Sequence, residues 1–213
     1  MTSELKVAAD KIVAEVRRRM ADRDTPILVA LDGGSGSGKS SLAALVAEEL
    51  GAALVPSDDF CAAEVSDAEW ESRSPEAKAN DAIDWRRLRA EALEPLLAGR
   101  PAKWHAFDFE AGVRPNGTYA MRTDFVVREP RAVIVLEGSY SCRPELADLI
   151  DLSVLVDAPV DVRHERLVAR RTIYLGREDK TYLDSWHARW DVAEEYYFTH
   201  VRPKSSFDLI VAS

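Results

Sequence analysis

The clearest chemical signature in this sequence is a glycine- and serine-rich segment at residues 33–40. It reads Gly-Gly-Ser-Gly-Ser-Gly-Lys-Ser, the spacing of a phosphate-binding loop. Glycines let the backbone curl so that successive N–H groups converge on an anion. Lys39 can reach the β- and γ-phosphates, and the Ser40 hydroxyl can ligate Mg²⁺. We therefore predict that the segment binds a nucleoside triphosphate with Mg²⁺ rather than acting as a Gly/Ser linker.

The segments on either side of the loop agree with this interpretation. Apolar residues 27–31 precede it as a candidate strand, and residues 39–50 have helical spacing. A helix that begins near Lys39 adds its positive N-terminal dipole to the site, and we expect Lys39 to face solvent. The residues predicted to contact the nucleotide are Gly33, Gly34, Ser35, Gly36, Ser37, Gly38, Lys39, Ser40 and Ser41.

Two further carboxylate positions follow candidate strands. Asp58 and Asp59 come after the strand at 53–55, and Glu137 follows the apolar run at 133–136. In open parallel sheets, ligands bind beyond the carboxyl ends of the strands. We predict that one of the two aspartates accepts a hydroxyl proton or holds Mg²⁺ through water, and that Glu137 is a second metal-associated acid. Solvated surface carboxylates are the alternative.

Two side-chain patterns near the end of the chain are ambiguous from spacing alone. Arginines at 163, 166, 170 and 177 could neutralise charge on a moving phosphoryl group, or could line a solvated helix face. Aromatic residues at 182, 186, 190 and 197 form a stripe for which packing is favoured over base stacking.

The wider pattern is α/β, with short apolar strands separated by helical segments, which is typical of a parallel sheet. We predict an amphipathic N-terminal helix and one domain over residues 1–213, with a five-stranded sheet flanked by helices. Strands are predicted at 27–31, 53–55, 132–136, 152–156 and 208–211. Further helices are predicted at 39–50, 84–98, 143–149, 160–171 and 180–200. The proline-rich segment 60–130 is predicted to be a substrate-covering insertion with one helix and a hairpin near 103–127.

Composition limits the partners. The formal net charge is −9, so the surface as a whole repels nucleic acid. No apolar stretch is long enough for a membrane span, and the N-terminus lacks the features of a signal peptide. The two cysteines, Cys61 and Cys142, have no metal-like spacing. These features predict a cytoplasmic protein with a small-molecule partner and no nucleic-acid or membrane partner, and they leave the possibility of a homo-oligomer open.

Taken together, the motifs resemble the uridine kinase-like family of P-loop small-molecule kinases, which includes phosphoribulokinase, pantothenate kinase and nicotinamide riboside kinases. The likeness spans most of the chain and implies a P-loop NTPase fold with an arginine-bearing lid at about 163–185. Ser57-Asp58-Asp59-Phe60 resembles the segment that holds the catalytic base, which implies that role for Asp58. Phe107-Asp108-Phe109 is similar to the family's substrate flap, and Leu136-Glu137-Gly138 to its strand-ending acid. The segment 156–170 resembles the lid helix, which implies phosphate-binding roles for Arg166 and Arg170.

The acceptor segment departs from uridine kinases. Gly112 stands at the position of a nucleoside-reading histidine, whereas Arg114 is retained. The resemblance thus gives Asp58, Asp59, Phe107 and Arg114 as substrate residues and leaves uridine itself open. It implies ATP- and Mg²⁺-dependent transfer to a hydroxyl of a small metabolite such as a nucleoside or related riboside. An ATP-binding regulatory or assembly module without such transfer is the alternative. A GTPase is disfavoured because no N-K-x-D segment occurs.

Overall fold

A computed structural model describes residues 3–175 and 189–213 of the chain. In chain order the strands are Ile27–Asp32 (β1), Ala53–Pro56 (β2), Ala102–Val113 (β3), Tyr119–Arg128 (β4), Val133–Glu137 (β5), Leu152–Asp157 (β6) and Leu209–Ala212 (β7). The α-helices are Ser3–Met20 (α1), Lys39–Leu50 (α2), Asp67–Ser72 (α3), Pro75–Asp81 (α4), Trp85–Arg87 (α5), Glu94–Leu97 (α6) and Val160–Leu175 (α7). A π-helical stretch, Leu88–Leu93, joins α5 to α6. We call residues 189–196 and the π-helical turn Tyr197–Val201 the C-terminal helix.

Five strands form one parallel sheet in the order β2-β5-β1-β6-β7. The predicted sheet is confirmed. β1 lies at its centre, with Ile27 paired to Val133 of β5 and Val29 paired to Leu152 of β6. All six residues of β1 are buried, as expected for a central strand covered on both faces. This arrangement brings the carboxyl ends of β1, β2 and β5 to the same edge of the sheet.

Alternate residues of β1 point into two separate apolar layers. Ile27, Val29 and Leu31 belong to the layer that packs against α1 and α2. Leu28 and Ala30 belong to the opposite layer, which includes Trp104 and Tyr197. The period of two follows from the pleat of the strand. One face of the sheet therefore packs against the N-terminal helices, and the other face packs against residues of the insertion.

The insertion contains more regular structure than the sequence predicts. Besides the predicted helix at 84–98, which is observed as α5, the π-helical stretch and α6, it contains α3 and α4. The hairpin is confirmed as the antiparallel pair β3–β4. Ser66 and Ser74 cap the two additional helices through their side-chain hydroxyls. These helices have only six and seven residues, too few for a clear amphipathic period, so the sequence pattern did not reveal them.

The predicted helix at 143–149 is wrong, because the structure has only a single 3₁₀ turn, Pro144–Leu146. Asp151 explains why the chain cannot continue as an α-helix. Its N–H donates to Leu28 O over 2.9 Å, and its Oδ2 accepts from Leu28 N over 2.9 Å. These two hydrogen bonds to β1 fix the start of β6 directly after the turn. The part of the predicted helix 180–200 that falls at 180–188 lies outside the described residues, whereas 189–201 is helical.

Ile12 tests the packing of α1 on the sheet. Its side chain is fully buried in the layer beside α2, so Ile12→Ala removes buried methyl groups and leaves a cavity. We expect a loss of about 2–5 kcal/mol in the free energy of unfolding, measured with urea. Val7→Ala on the same helix is the control, because Val7 is 51% exposed and its loss should cost about 0.5 kcal/mol or less. Equal effects of the two variants would contradict this packing.

Candidate active site

A cavity of about 670 Å³ lies at the carboxyl edge of the sheet. The phosphate loop contributes Ser35, Gly36 and Gly38 to its wall, together with Lys39 and Ser40 at the start of α2. The other walls come from the ends of β2 and β5, from the insertion and from the C-terminal helix. They include Asp58, Glu137, Trp70, Phe107, Tyr119, Arg189 and Trp190. The fold therefore brings the phosphate loop and two of the predicted carboxylates to one cavity.

The backbone of the phosphate loop has the shape that glycine permits. Gly36 has φ +79° and Gly38 has φ +88°, both in the left-handed region that other residues avoid. A Cβ at Gly36 would also collide with the carbonyl group of Arg163. Gly38 precedes the first turn of α2, where no side chain caps the backbone N–H groups. Uncapped N–H groups at the start of a 12-residue helix favour a bound anion.

Other members of the predicted nucleotide set lie in or beside this loop without lining the cavity. These are Gly33, Gly34, Ser37 and Ser41. The Ser37 hydroxyl is buried and has no hydrogen-bond partner within the described residues.

Lys39 is buried, contrary to the expectation that it faces solvent. Its side-chain ammonium donates to Gly34 O over 3.0 Å and lies 3.4 Å from the Ser139 hydroxyl. These contacts hold the ammonium group across the phosphate loop at the cavity wall. A lysine fixed in this way places its charge beside an anion without ordering a mobile side chain first.

Ser40 and Glu137 form a direct pair at the start of α2. The Ser40 hydroxyl donates to Glu137 Oε2 over 3.1 Å, and Glu137 is largely buried. Glu137 is the last residue of β5, so its position follows from the sheet register. The pair offers a hydroxyl and a carboxylate to the same part of the cavity.

The neighbouring aspartates have different environments. Asp58 lines the cavity, whereas Asp59 does not. Asp59 Oδ2 accepts a hydrogen bond from Trp104 Nε1 over 2.8 Å. Burial raises the pKa of the Asp59 carboxyl above its usual range, although the Trp104 hydrogen bond and nearby arginines oppose that shift. The structure therefore places Asp58 with the phosphate loop and turns the Asp59 side chain into the packing under the hairpin.

The two other predicted substrate residues, Phe107 and Arg114, differ in their position relative to the cavity. Phe107 lines the cavity and is largely buried, with its ring 5.3 Å from the ring of Tyr119 between centroids. Arg114 lies in the turn between β3 and β4, where it is exposed and does not line the cavity. Its N–H donates to Thr118 O over 2.8 Å.

Two arginines of α7 contact backbone carbonyl groups of the phosphate loop. Arg163 Nη1 donates to Ser35 O over 2.9 Å, and Arg166 Nη1 lies 3.5 Å from Gly36 O. Arg166 Nη2 also donates to Ser213 O over 2.9 Å. Arg170 lies within α7, but its side chain lies outside the described part, as does all of Arg177. The predicted lid region at 163–185 is thus described only up to residue 175.

Two acidic residues that the sequence analysis missed hold the loop in place. Asp32, at the end of β1, is fully buried and accepts from Gly33 N, Tyr140 N, Cys142 N and Tyr197 Oη over 2.7–2.9 Å. Burial raises the pKa of the Asp32 carboxyl, while the hydrogen bonds from Tyr197, Cys142 and Gly33 and the charge of Lys39 act against that shift. The sequence feature that could have marked Asp32 is its position directly before the phosphate loop.

Glu194 of the C-terminal helix is the second of these residues. Its Oε1 accepts from Ser35 N over 2.6 Å, and its Oε2 pairs with Arg163 Nη1 at 2.8 Å. Both side chains are largely buried, with 4% of the Glu194 side chain and 12% of the Arg163 side chain exposed. The pair crosses the loop at Gly34, where a Cβ would collide with Arg163 Nη1. No local sequence motif marks Glu194, which lies 159 residues from Ser35 in the chain.

Comparison with known proteins agrees with this geometry. The model of the phosphoribulokinase/uridine kinase family matches residues 28–213. The chain belongs to this family. It is a phosphotransferase that acts on a hydroxyl group, and its substrate is a small molecule. Kinases of this kind use a nucleotide.

Individual relatives support the assignment. A uridine kinase of Halobacterium salinarum is 33% identical over 165 residues, covering 74% of this chain and 68% of the relative. A uridine kinase of Streptococcus pyogenes is 26% identical over 190 residues, covering 87% of this chain and 86% of the relative.

Solved structures share the fold. A possible uridine kinase from Bacillus stearothermophilus has a TM-score of 0.67 at 19% identity, covering 98% of this chain and 99% of that one. A D-glycerate 3-kinase from Cryptococcus neoformans has a TM-score of 0.68 at 12% identity, covering 100% of this chain and 96% of that one. Among the described residues, no helix is both long and apolar enough to cross a membrane.

Glu194→Gln tests the pair that holds the phosphate loop. The amide keeps the size of the carboxylate but leaves the buried Arg163 guanidinium without its charged partner. We expect a loss of about 3 kcal/mol in the free energy of unfolding and a higher KM for the nucleotide. Glu195→Gln is the matched control, because Glu195 is the exposed neighbour in the same helix and should change stability by about 0.5 kcal/mol or less. Unchanged stability and KM in Glu194→Gln would contradict the role of the pair.

Proposed function

We propose that this protein transfers the γ-phosphoryl group of ATP, with Mg²⁺, to a hydroxyl group of a nucleoside or related riboside. One observation carries the proposal: Lys39 and Ser40 share a continuous cavity with Asp58, Glu137 and the aromatic residues of the insertion. A kinase needs a phosphate site and an acceptor site in contact, because the phosphoryl group passes directly between two oxygens. A regulatory ATP-binding module does not require an acceptor site.

The chain's own groups would carry out the steps of the transfer. The Lys39 ammonium, held at the loop by Gly34 O, balances negative charge on the phosphate oxygens. Asp58 accepts the proton of the acceptor hydroxyl as that oxygen bonds to the γ-phosphorus and the bond to the β-phosphate oxygen breaks. The proton then resides on the Asp58 carboxyl, and ADP leaves with the former bridging oxygen.

The donor chemistry at Ser40 fits Mg²⁺. Its hydroxyl lies 3.1 Å from a Glu137 carboxylate oxygen, and Asp58 lines the same cavity. Magnesium prefers oxygen ligands and usually retains several waters beside one or two protein groups and substrate phosphates. When bound, the ion supplies positive charge that neutralises the phosphates. Ser40 and Glu137 would hold it, with Asp58 in reach through water.

The acceptor side of the cavity supports a riboside. Trp70, Phe107, Tyr119 and Trp190 give it flat aromatic walls, which suit a planar heterocycle better than a linear polyol. The uridine kinases of Halobacterium salinarum and Streptococcus pyogenes act on a nucleoside, as their names state. These two observations support a nucleoside-like acceptor without identifying its base.

The proposal is tested by acceptor-dependent ADP release with a panel of nucleosides, using Asp58→Asn. This variant keeps the size of the side chain but removes the proton acceptor, so kcat should fall about 10²–10⁴-fold while the KM for ATP changes little. Asp59→Asn is the control, because Asp59 binds Trp104 and lies outside the cavity. It should retain kcat within a few-fold where it remains folded. A larger loss in the control would assign the base to Asp59, and full activity in both variants would favour the regulatory module.

Glu137→Gln separates the metal role from proton transfer. The amide still accepts from Ser40 but is a weaker ligand for a hard cation than a carboxylate. We expect the Mg²⁺ concentration for half-maximal activity to rise several-fold, with activity recovered at high Mg²⁺. A titration of initial rate against Mg²⁺ in both proteins measures this. A kcat loss that excess Mg²⁺ does not relieve would show that Glu137 has another role.

A further inference from the structure

The charge of the acceptor side of the cavity limits what can bind there. We call the cavity-lining residues of the insertion and the C-terminal helix the acceptor end. Its charged members within the described chain are Asp67, Asp108 and Arg189. Asp67 lies at the start of α3, Asp108 in β3 and Arg189 at the first described position of the C-terminal helix. Side chains from three separate elements, α3, β3 and the C-terminal helix, therefore set the charge of the acceptor end.

Arg189 is occupied by carboxylates. Its Nη1 donates to Asp67 Oδ1 over 2.7 Å, its Nε donates to Glu71 Oε1 over 2.9 Å, and its Nη2 also binds Glu71. Every nitrogen of the guanidinium thus has an acidic partner, and only 17% of the side chain is exposed. An arginine paired in this way is a poor receptor for an added carboxylate or phosphate, because its charge is already compensated.

Asp67 remains negatively charged near neutral pH. Burial raises the pKa of its carboxyl, but hydrogen bonds from Tyr119 and Arg189 outweigh burial and lower the pKa overall. Both donors use the same oxygen, since Tyr119 Oη donates to Oδ1 over 2.7 Å. Within the described residues, Oδ2 has no hydrogen-bond partner, so it can accept a hydrogen bond from a ligand in the cavity.

Asp108 adds a second negative charge. Its Oδ1 accepts from the N–H groups of Glu110 and Ala111, each over 3.0 Å, which fixes the carboxylate beside the cavity. With Asp67 and Glu71 both bound to Arg189, the guanidinium of the acceptor end is already outnumbered by carboxylates before Asp108 is counted. Within the described residues the acceptor end is therefore net negative, because the other basic residue in the cavity lining, Lys39, lies at the phosphate loop.

The walls between these charges are aromatic. The rings of Trp70 and Trp190 lie 5.3 Å apart between centroids, and Phe107 lies 4.6 Å from Phe109. Aromatic faces carry negative electrostatic potential and attract cations, while their edges and faces pack well on planar rings. They do nothing to offset the negative charge of the aspartates.

We infer that the acceptor end selects a planar heterocycle that is uncharged or positively charged and rejects acceptors that carry a carboxylate or phosphate on the ring, with Asp67 as a specificity-determining residue. An anionic ring would meet Asp67 and Asp108 without a free cationic partner in the described wall, and like charges in a desolvated site are strongly unfavourable. The Oδ2 atom of Asp67 would favour a ring substituent that donates a hydrogen bond, such as a carboxamide. This inference rests on the proposed function.

The test uses isosteric acceptor pairs that differ by one charge. The pairs are 5-carbamoyluridine with 5-carboxyuridine, and nicotinamide riboside with nicotinic acid riboside. For each pair that is turned over, we expect kcat/KM for the carboxamide to exceed that for the carboxylate by about tenfold or more. Equal or better use of the carboxylate compounds would overturn the inference while leaving the proposed kinase activity intact. Absence of turnover with all four compounds and with every member of the nucleoside panel would instead overturn the proposed function.

Asp67→Asn tests whether Asp67 causes the preference for carboxamide over carboxylate acceptors. Asparagine can still accept from Tyr119 but carries no charge, so the carboxamide-to-carboxylate ratio should fall several-fold. Structural damage alone would lower both rates and leave the ratio unchanged. Asp108→Asn is a second variant with the same expected direction, and Glu64→Gln is the control, because Glu64 is exposed outside the cavity. An unchanged ratio in both aspartate variants, or an equal fall in the control, would contradict the assignment.

Discussion

The buried carboxylate of Asp32 is the constraint on which the rest of the site depends. It accepts hydrogen bonds from the first residue of the phosphate loop, from two backbone N–H groups in the loop after β5 and from the Tyr197 hydroxyl of the C-terminal helix. A buried carboxylate is costly unless its oxygens are satisfied. These four donors satisfy it, and in doing so they fix three separate segments of the chain relative to β1.

The consequences extend through the cavity. The loop after β5 begins at Gly138, directly after the acid that pairs with Ser40, so anchoring it also fixes Glu137. The C-terminal helix carries Glu194, which binds the phosphate loop, and Arg189 and Trp190, which line the acceptor end. The phosphate loop, Glu137 and the part of the acceptor end on the C-terminal helix are therefore all anchored to β1 through one carboxylate. Such preorganisation matters in phosphoryl transfer, where catalysis depends on positioning and charge rather than on covalent chemistry by the protein.

The sequence predicted those parts of the molecule that local patterns encode. Continuous apolar runs indicated the five sheet strands, and glycine spacing indicated the phosphate loop. Because strand ends determine where carboxylates meet, residue order alone could place Asp58 and Glu137 at one edge of the sheet. Asp32 and Glu194 could not be found in this way, since their partners come from distant segments. Nor could sequence distinguish the environments of Asp58 and Asp59, because the orientation of Asp59 depends on Trp104 in the hairpin. The short helices of the insertion are stabilised by serine caps and tertiary packing rather than by a long apolar period.

The central claim is that the cavity supports direct transfer between the bound nucleotide and a hydroxyl group of a riboside. Phosphorus-31 NMR of one reaction containing the protein, ATP, Mg²⁺ and a nucleoside acceptor tests it most directly, because the signal reports where the γ-phosphorus goes. We predict that a phosphomonoester signal of the nucleoside appears as the γ-phosphate signal of ATP disappears, in equal amount. Formation of orthophosphate alone, or bound ATP that is not consumed with any riboside, would contradict the account and identify an ATP-binding protein without an acceptor reaction of this kind.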